Sequence, residues 1–208
     1  LKDFFMENNI LNDILIEEKT PHSGFVAIIG RPSAGKSTFL NTASGEMVSI
    51  VSSIPQTTRN AIRGIVNTSF GQLVFVDTPG YHESNKKMNL KMRNIVADQL
   101  ANADSILYVV DSTRPCGDEE KLITELLKGH EKKTVAALNK IDEKDSNPSA
   151  ARVFLSKQLP ELSEKNIFDV SAKNDEGIND VLRALYELAP VAPHLYPEEF
   201  YTDQEVDF

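Results

Sequence analysis

The chain has 208 residues, of which 40% are apolar and 25% charged, and its formal net charge is −9. This length suits one α/β domain, and the composition is that of a folded globular protein, which excludes a disordered chain. The longest apolar runs fall well short of the roughly 18 residues that span a bilayer, so no transmembrane helix is predicted. The acidic balance argues against nucleic-acid binding by the general field of this domain.

Cysteine usage and the first residues bear on the compartment. Cys116 is the only cysteine in the sequence, which excludes a disulfide framework and a multi-cysteine zinc site. The start of the chain lacks the basic stretch and the unbroken apolar centre of an export signal. We therefore expect a cytoplasmic protein, and peripheral membrane association is not indicated by the sequence.

The predicted elements begin after an N-terminal extension, residues 1–23, whose apolar residues recur at mostly helical spacing. This spacing leaves a docked helix and a disordered leader equally open. From residue 25 onwards, short strand-like runs alternate with helical stretches. The predicted strands are Phe25–Ile29, Ala61–Asn67, Gln72–Val76, Ser105–Val110, Thr134–Leu138 and Asn166–Val170.

The connections between these strands predict the sheet. The second and third strands flank a short turn and should form an antiparallel hairpin, whereas helical stretches separate the others, which should be parallel. The predicted fold is therefore α/β in three layers: a mixed, mostly parallel six-stranded sheet with helices on both faces. The domain should cover residues 24–189. Prolines after its last predicted helix, Ile178–Leu188, predict a linker over residues 190–208.

A glycine-rich loop follows the first predicted strand. The run Gly30-Arg-Pro-Ser-Ala-Gly-Lys-Ser37 matches GxxxxGK[ST] and precedes the predicted helix Ser37–Ala43, as the phosphate-binding loop of a P-loop NTPase requires. Glycines let the backbone amides and the helix N-terminus face a phosphate. Lys36 should reach the β- and γ-phosphates, and the Ser37 hydroxyl should bind Mg²⁺. The predicted contacts with the nucleotide are Gly30, Arg31, Pro32, Ser33, Ala34, Gly35, Lys36, Ser37 and Thr38.

Two further segments predict magnesium and γ-phosphate contacts. Asp77 ends a strand and begins Asp-Thr-Pro-Gly80, where a carboxylate can orient Mg²⁺ through a water and the Gly80 amide can sense the γ-phosphate. A polar stretch before it contains Thr57 and Thr58, one of which should complete the magnesium shell. Spacing alone does not distinguish the two neighbours, and Thr58 is the one favoured here. The predicted magnesium ligands are Ser37, Thr58 and Asp77, and the residues assigned to hydrolysis are Lys36, Thr58 and Gly80.

Two motifs after later strands indicate that the base is guanine. Asn139-Lys140-Ile141-Asp142 follows the strand that ends at Leu138. The Asp142 carboxylate can accept from both the ring N–H and the exocyclic amine of guanine, and such a site rejects a ligand lacking those donors by roughly 10⁴-fold. Lys140 can lay its stem along the base, and Asn139 can tie this loop to the phosphate loop. Further base contacts are predicted from the next loop, in which Ala172 N–H would donate to the guanine oxygen: Ser171, Ala172 and Lys173.

Taken together, these motifs resemble the translation-factor-like P-loop GTPases and, within them, the Era family. The resemblance covers residues 24 to about 204 and includes Gln56-Thr-Thr-Arg59 and the tail Tyr196-Pro-Glu-Glu-Phe-Tyr-Thr-Asp-Gln204. That tail is similar to the linker that leads, in Era proteins, to an RNA-binding KH domain. The resemblance implies the small G-protein fold, GTP, GDP and Mg²⁺ as ligands, and slow GTP hydrolysis as a molecular switch. It also implies the small ribosomal subunit and its rRNA as partners in assembly. RNA contact would belong to the KH domain, so these 208 residues should not bind nucleic acid strongly.

One departure from the family pattern, one difference from Ras-like proteins and several alternatives stay open. Ser33 stands where family members usually carry an Asn that helps to hold potassium, which puts potassium binding in doubt. Tyr81 stands where Ras-like proteins carry a catalytic Gln, so the attacking water should be held by backbone groups. The alternatives are a related tRNA-modification or two-G-domain ribosome GTPase, a nucleotide-binding interaction module with negligible turnover, and, weakest, an ATP-using phosphotransferase.

Overall fold

A six-stranded sheet is the centre of the fold in a computed structural model of the chain. The structure describes residues 21–45, 62–68, 70–77 and 90–197; at residues 44, 63, 77 and 90–92 it describes the backbone alone. These residues form six strands in the order β2-β3-β1-β4-β5-β6. Only the β2–β3 pair within this sheet is antiparallel. The predicted α/β fold is confirmed. The strands are β1 (His22–Ile29), β2 (Ile62–Thr68), β3 (Gly71–Asp77), β4 (Ser105–Asp111), β5 (Thr134–Asn139) and β6 (Ile167–Val170).

Helices of the described ranges cover both faces of the sheet. They are α1 (Lys36–Ser44), α2 (Leu90–Asn102), α3 (Asp118–Leu127), α4 (Pro148–Gln158) and α5 (Ile178–Leu188). Local chemistry fixes the start of α4: the Asn147 side chain accepts from Ala150 N–H at 3.0 Å, and Pro148 opens the first turn. None of these helices is long and apolar enough to cross a membrane.

The core lies in two layers, one on each face of the sheet. Val26 and Ile28 of β1 point to the layer formed by α1 and α5, whereas Ala27 and Ile29 point to the layer formed by α2, α3 and α4. Because both faces are covered, every residue of β4 is buried, as expected for the central strands of a parallel sheet.

The observed ends of several elements differ slightly from the predicted ones. β1 begins at His22, three residues early, because its first residue gains a partner: His22 N–H donates to Phe70 O at 2.8 Å. β6 begins at Ile167 because residues Glu164–Asn166 form a 3₁₀ turn. Helix α1 begins at Lys36, one residue before the predicted start. Differences of about one to three residues are usual for element boundaries predicted from sequence.

The chain that follows α5 lies against the amino-terminal end of the sheet. Ser23 N–H donates to Pro190 O at 3.0 Å. Further on, Gln72, a buried residue of β3, both donates to Tyr196 O and accepts from Tyr196 N–H, each at 2.9 Å. The backbone through Tyr196 is therefore paired with the sheet edge opposite to the predicted phosphate loop.

Candidate guanine-nucleotide site

Three predicted loops meet at the carboxyl-terminal edge of the sheet. The phosphate loop, residues 30–37, joins β1 to α1, while the base loop, residues 139–142, and the second base loop, residues 171–173, follow β5 and β6. Parallel strands direct their carboxyl ends to the same edge, where open α/β sheets bind ligands. The fold therefore brings together motifs that lie more than a hundred residues apart in the sequence.

The phosphate loop requires glycine at two positions. Gly30 has φ +157° and Gly35 has φ +98°. A Cβ at residue 30 would collide with Val109 O, and one at residue 35 would collide with Asn139 Nδ2. Both glycines allow the loop backbone to pass close to its neighbours, a path that a side chain would block.

The first turn of α1 opens directly onto this loop. Gly35 precedes the helix and supplies no side-chain cap, so the first amides are available to an anion, in line with the helix dipole. Lys36 Nζ donates to Gly30 O at 2.8 Å and to Arg31 O at 2.9 Å. These two bonds hold the ammonium group across the loop, and the arrangement fits a phosphate group.

The structure places the Arg31 side chain in an ion-pair network rather than simply in the loop. The guanidinium is buried, with Nη2 3.4 Å from Asp111 Oδ2 and Nε 3.1 Å from Glu120 Oε1. The guanidinium is therefore engaged by acidic residues, and the nucleotide contact predicted for Arg31 is left to its backbone groups. Asp111 had a signal in the sequence, because it ends a parallel strand at the ligand edge. No motif in the sequence indicated Glu120, because its ion pair with Arg31 depends on how α3 packs beside the phosphate loop.

Asn139 joins all three loops through its carboxamide. Its Nδ2 donates to Ala34 O of the phosphate loop at 2.9 Å, and its Oδ1 accepts from Ala172 N–H at 3.0 Å. The side chain is only 2% exposed, so each of these groups would be left unsatisfied without it. The predicted tie between the base loop and the phosphate loop is present in the structure.

The Asp142 carboxylate is oriented by the second base loop. Ser171 Oγ donates to Asp142 Oδ1 at 2.6 Å. This hydrogen bond is the main reason why the pKa of Asp142 lies below its ordinary value: it outweighs desolvation, which raises the pKa, and Lys173 and Lys140 add smaller lowering contributions. The carboxylate is therefore ionised at neutral pH and available as an acceptor.

The second base loop is also fixed from α1. Thr42 Oγ1 donates to Ala172 O at 2.6 Å, a contact that no motif in the sequence indicated. Ala172 N–H, which the sequence assigned to the guanine oxygen, donates here to Asn139 Oδ1. Its contact with a base stays a prediction.

For most of the remaining predicted site residues, the structure gives a position but few contacts. Ser37 and Thr38 are exposed in the first turn of α1, and the Ser37 hydroxyl is the hard oxygen ligand that Mg²⁺ prefers. Pro32 and Ser33 lie in the phosphate loop, where Ser33 has φ +62°, and Lys173 is an exposed residue 4.0 Å from Asp142. Thr58 and Gly80 lie outside the described residues, and only the backbone of Asp77 is described, at the end of β3.

Comparison with known proteins agrees with this geometry. A sequence model of the family described as "50S ribosome-binding GTPase" matches residues 25–140. GTPase Era of Treponema denticola is 58% identical over 187 residues, which are 90% of this chain and 64% of that protein. The chain thus spans less than two thirds of the length of this relative.

Two solved structures of Era are also similar to this fold. A single-residue variant of Aquifex aeolicus Era bound to GDP·AlF4⁻ matches with a TM-score of 0.64 and 32% identity, over 89% of this chain and 63% of that chain. Era in complex with MgGDPNP and nucleotides 1506–1542 of 16S ribosomal RNA matches with a TM-score of 0.68 and 31% identity, over the same shares of 89% and 63%. The chain belongs to this family of P-loop GTPases, and its resemblance to the Era branch is confirmed.

Proposed function

We propose that this chain binds GTP and GDP with Mg²⁺ and hydrolyses GTP slowly, as the switch domain of an Era-like factor. The observation that carries the proposal is the Asn139 carboxamide, which bonds the phosphate loop at Ala34 O and the second base loop at Ala172 N–H. One buried side chain thus sets the distance between a phosphate cradle and a base pocket. Nucleoside phosphates match that arrangement because they carry both groups on one molecule.

Discrimination for guanine is assigned to Asp142. Its carboxylate is held by Ser171 Oγ, and an ionised carboxylate pairs with the two adjacent donors of guanine but offers no donor to adenine. The Lys140 backbone has φ +72°, and such a left-handed residue persists where the surrounding structure fixes it. We assign the Lys140 stem to the face of the base.

Phosphoryl transfer to water requires positioning and charge neutralisation. Lys36 spans the loop through Gly30 O and Arg31 O, and we assign its ammonium group and the first amides of α1 to the charge that develops on the phosphate oxygens. A bound Mg²⁺ ion would add charge neutralisation, and Ser37, Asp77 and Thr58 are the residues proposed to hold it. The attacking water is assigned to backbone groups of the segment that contains Gly80, with Tyr81 as a non-catalytic aromatic residue.

We further propose that the complete protein acts on the small ribosomal subunit. The support is the similarity to Era, which has been solved with nucleotides of 16S ribosomal RNA. With a net charge of −9, this domain lacks the basic field that RNA binding uses. RNA contact is therefore assigned to a KH domain outside residues 1–208, and the G domain would control it through the bound nucleotide.

The experiment is phosphate release from GTP and from ATP with Mg²⁺, in parallel potassium and sodium buffers. We expect slow release from GTP alone, and none from the Lys36→Met variant, whereas Lys132→Met, which changes an exposed lysine of the 3₁₀ turn at Glu131–Lys133, should match the wild type. Dependence on potassium would show that Ser33 replaces the usual Asn. Release from ATP at an equal rate, or no release despite tight GDP binding, would contradict the proposed hydrolysis.

A further inference from the structure

Four charged side chains form a buried network beside the candidate site. Arg31 and Lys140 come from the phosphate loop and the base loop, Asp111 ends β4, and Glu120 lies in the first turn of α3. The side chains of Arg31, Asp111 and Glu120 are 5%, 2% and 3% exposed, and that of Lys140 is 30% exposed. Two cations face two carboxylates, so the network is neutral overall, as burial of charge requires.

The Asp111 carboxylate lies at the centre of this network. Its Oδ1 accepts from Thr113 N–H at 3.0 Å and from Thr113 Oγ1 at 2.6 Å, which fixes the plane of the carboxylate. Its Oδ2 lies 2.8 Å from Lys140 Nζ and 3.4 Å from Arg31 Nη2. Burial would raise the pKa of Asp111, but hydrogen bonds from Lys140 and Thr113 outweigh burial and lower it. The Asp111 carboxylate is thus ionised and pairs with a cation from each loop, Arg31 of the phosphate loop and Lys140 of the base loop.

The two cations depend on Asp111 to different degrees. Arg31 keeps two other partners, since its Nε lies 3.1 Å from Glu120 Oε1 and its Nη2 donates to Asp111 O at 3.2 Å. For Lys140, the carboxylate of Asp111 is the acidic partner within 4 Å that the described part of the chain provides. Neutralising Asp111 therefore releases Lys140 more than Arg31, whereas neutralising Glu120 does not touch Lys140.

We propose that Asp111 is a positioning residue for guanine-nucleotide binding: it holds the Lys140 ammonium group so that the lysine stem is fixed beside the base, and it ties that stem to Arg31 of the phosphate loop. This inference rests on the proposed function, because it concerns the same site. Asp111 touches no nucleotide in this account and acts through Lys140. Its removal should shorten the residence time of the nucleotide without altering the phosphate contacts themselves.

The experiment measures association and release of a fluorescent GDP analogue by stopped flow with the 208-residue chain. Loss of one charge-assisted hydrogen bond predicts that Asp111→Asn releases the analogue about 10- to 100-fold faster. Glu120→Gln, an equivalent change in the same network, should accelerate release by less than about threefold, the size of a weak hydrogen bond. Glu125→Gln, on an exposed part of the same helix, should leave release unchanged.

A double-mutant cycle separates positioning from general damage. In a Lys140→Met background, Asp111→Asn should accelerate release by less than about threefold, since the side chain through which it acts is gone. Active-site titration completes the design, because a merely structural loss lowers the fraction of competent protein and leaves the rate constants of the rest unchanged. Equal effects of Asp111→Asn in both backgrounds, or an effect of Glu120→Gln as large as that of Asp111→Asn, would overturn the inference. If the wild-type chain bound no GDP analogue, the proposed function itself would fail, and this inference with it.

Discussion

The phosphate half and the base half of the candidate site are built from different parts of the chain. In the phosphate half, the predicted contacts come mainly from the backbone: glycines at 30 and 35 permit its path, and no side chain caps the first amides of α1. In the base half, the contacts are predicted for side chains, and each side chain is held by another group: Asn139 by Ala34 and Ala172, and Asp142 by Ser171. A backbone site depends on shape, whereas a side-chain site depends on its partners, and each half should fail in its own way.

The largest expected effect concerns the base half. Asp142→Asn replaces an acceptor by a group that also donates, so it should weaken GDP binding by about 1,000-fold or more and favour xanthosine diphosphate, in which a carbonyl replaces the exocyclic amine. Titration calorimetry with both nucleotides measures this exchange. Asp145→Asn changes an exposed carboxylate of the same connection and should leave both affinities unchanged. A parallel loss of affinity for the two nucleotides would contradict the assignment of Asp142.

The next effect concerns the phosphate half. Gly35→Ala places a Cβ against Asn139 Nδ2 at a φ of +98°, so the loop must shift. Strain of about 1–3 kcal/mol in the binding conformation would lower GDP affinity by up to about 100-fold. The loss should be equal for GDP and xanthosine diphosphate, because shape rather than base chemistry has changed.

Gly129→Ala is the matched control for that loop. Its φ is +84°, but its Cβ would meet nothing within 4 Å, so only backbone strain is added, at about 1 kcal/mol of unfolding free energy. Urea denaturation measures that cost, and GDP affinity should stay the same. An equal loss of affinity in both variants would mean that strain, not the close approach to Asn139, dictates glycine at position 35.

The smallest expected effect is dependent on pH. Ser171→Ala removes the main cause of the lowered pKa of Asp142, whose ordinary value is 3.8. GDP affinity should fall by about 3- to 10-fold at pH 7, the worth of one hydrogen bond. An acid with a lowered pKa keeps its function above that pKa and loses it as the pH falls through it, so the variant should lose GDP at a higher pH than the wild type.

Binding measured from pH 7 down to about pH 3.5 tests this shift, since aspartate carboxyl groups of model peptides titrate near about pH 3.9. Ser156→Ala, on α4, removes a hydroxyl that donates to Val153 O and serves as the control. If the acid limbs of wild type and Ser171→Ala coincide, Ser171 does not set the ionisation of Asp142.

The same contrast explains what the sequence could predict. The phosphate loop is recognisable because glycine positions are dictated by the backbone itself, and the central strands are recognisable because burial on both faces gives near-continuous apolar runs, as in β4 and β5. Asn139 and Asp142 were predicted as site residues because their motif follows a strand at the ligand edge. Nothing local, however, indicates which residues hold them in place.

The partners that escaped prediction are those set by tertiary packing. Thr42 bonds Ala172 O across 130 residues of chain, and Glu120 meets Arg31 only because α3 packs beside the phosphate loop. Gln72 looks like an isolated polar residue in a strand, yet it pairs with the Tyr196 backbone. Contacts of this kind follow from the arrangement of elements, which a single sequence does not specify residue by residue.

The central claim, that the three loops form one guanine-nucleotide site, is tested most directly by competition against a fluorescent GDP analogue. GDP, inosine diphosphate, which lacks the exocyclic amine, and ADP would be compared as competitors of the wild-type chain in the presence of Mg²⁺. We expect that GDP competes best, that inosine diphosphate is weaker, and that ADP is weaker than GDP by about 10⁴-fold. Displacement by ADP at the same concentration as GDP would show that Asp142 does not discriminate between the bases and that the three loops do not form a guanine-specific site.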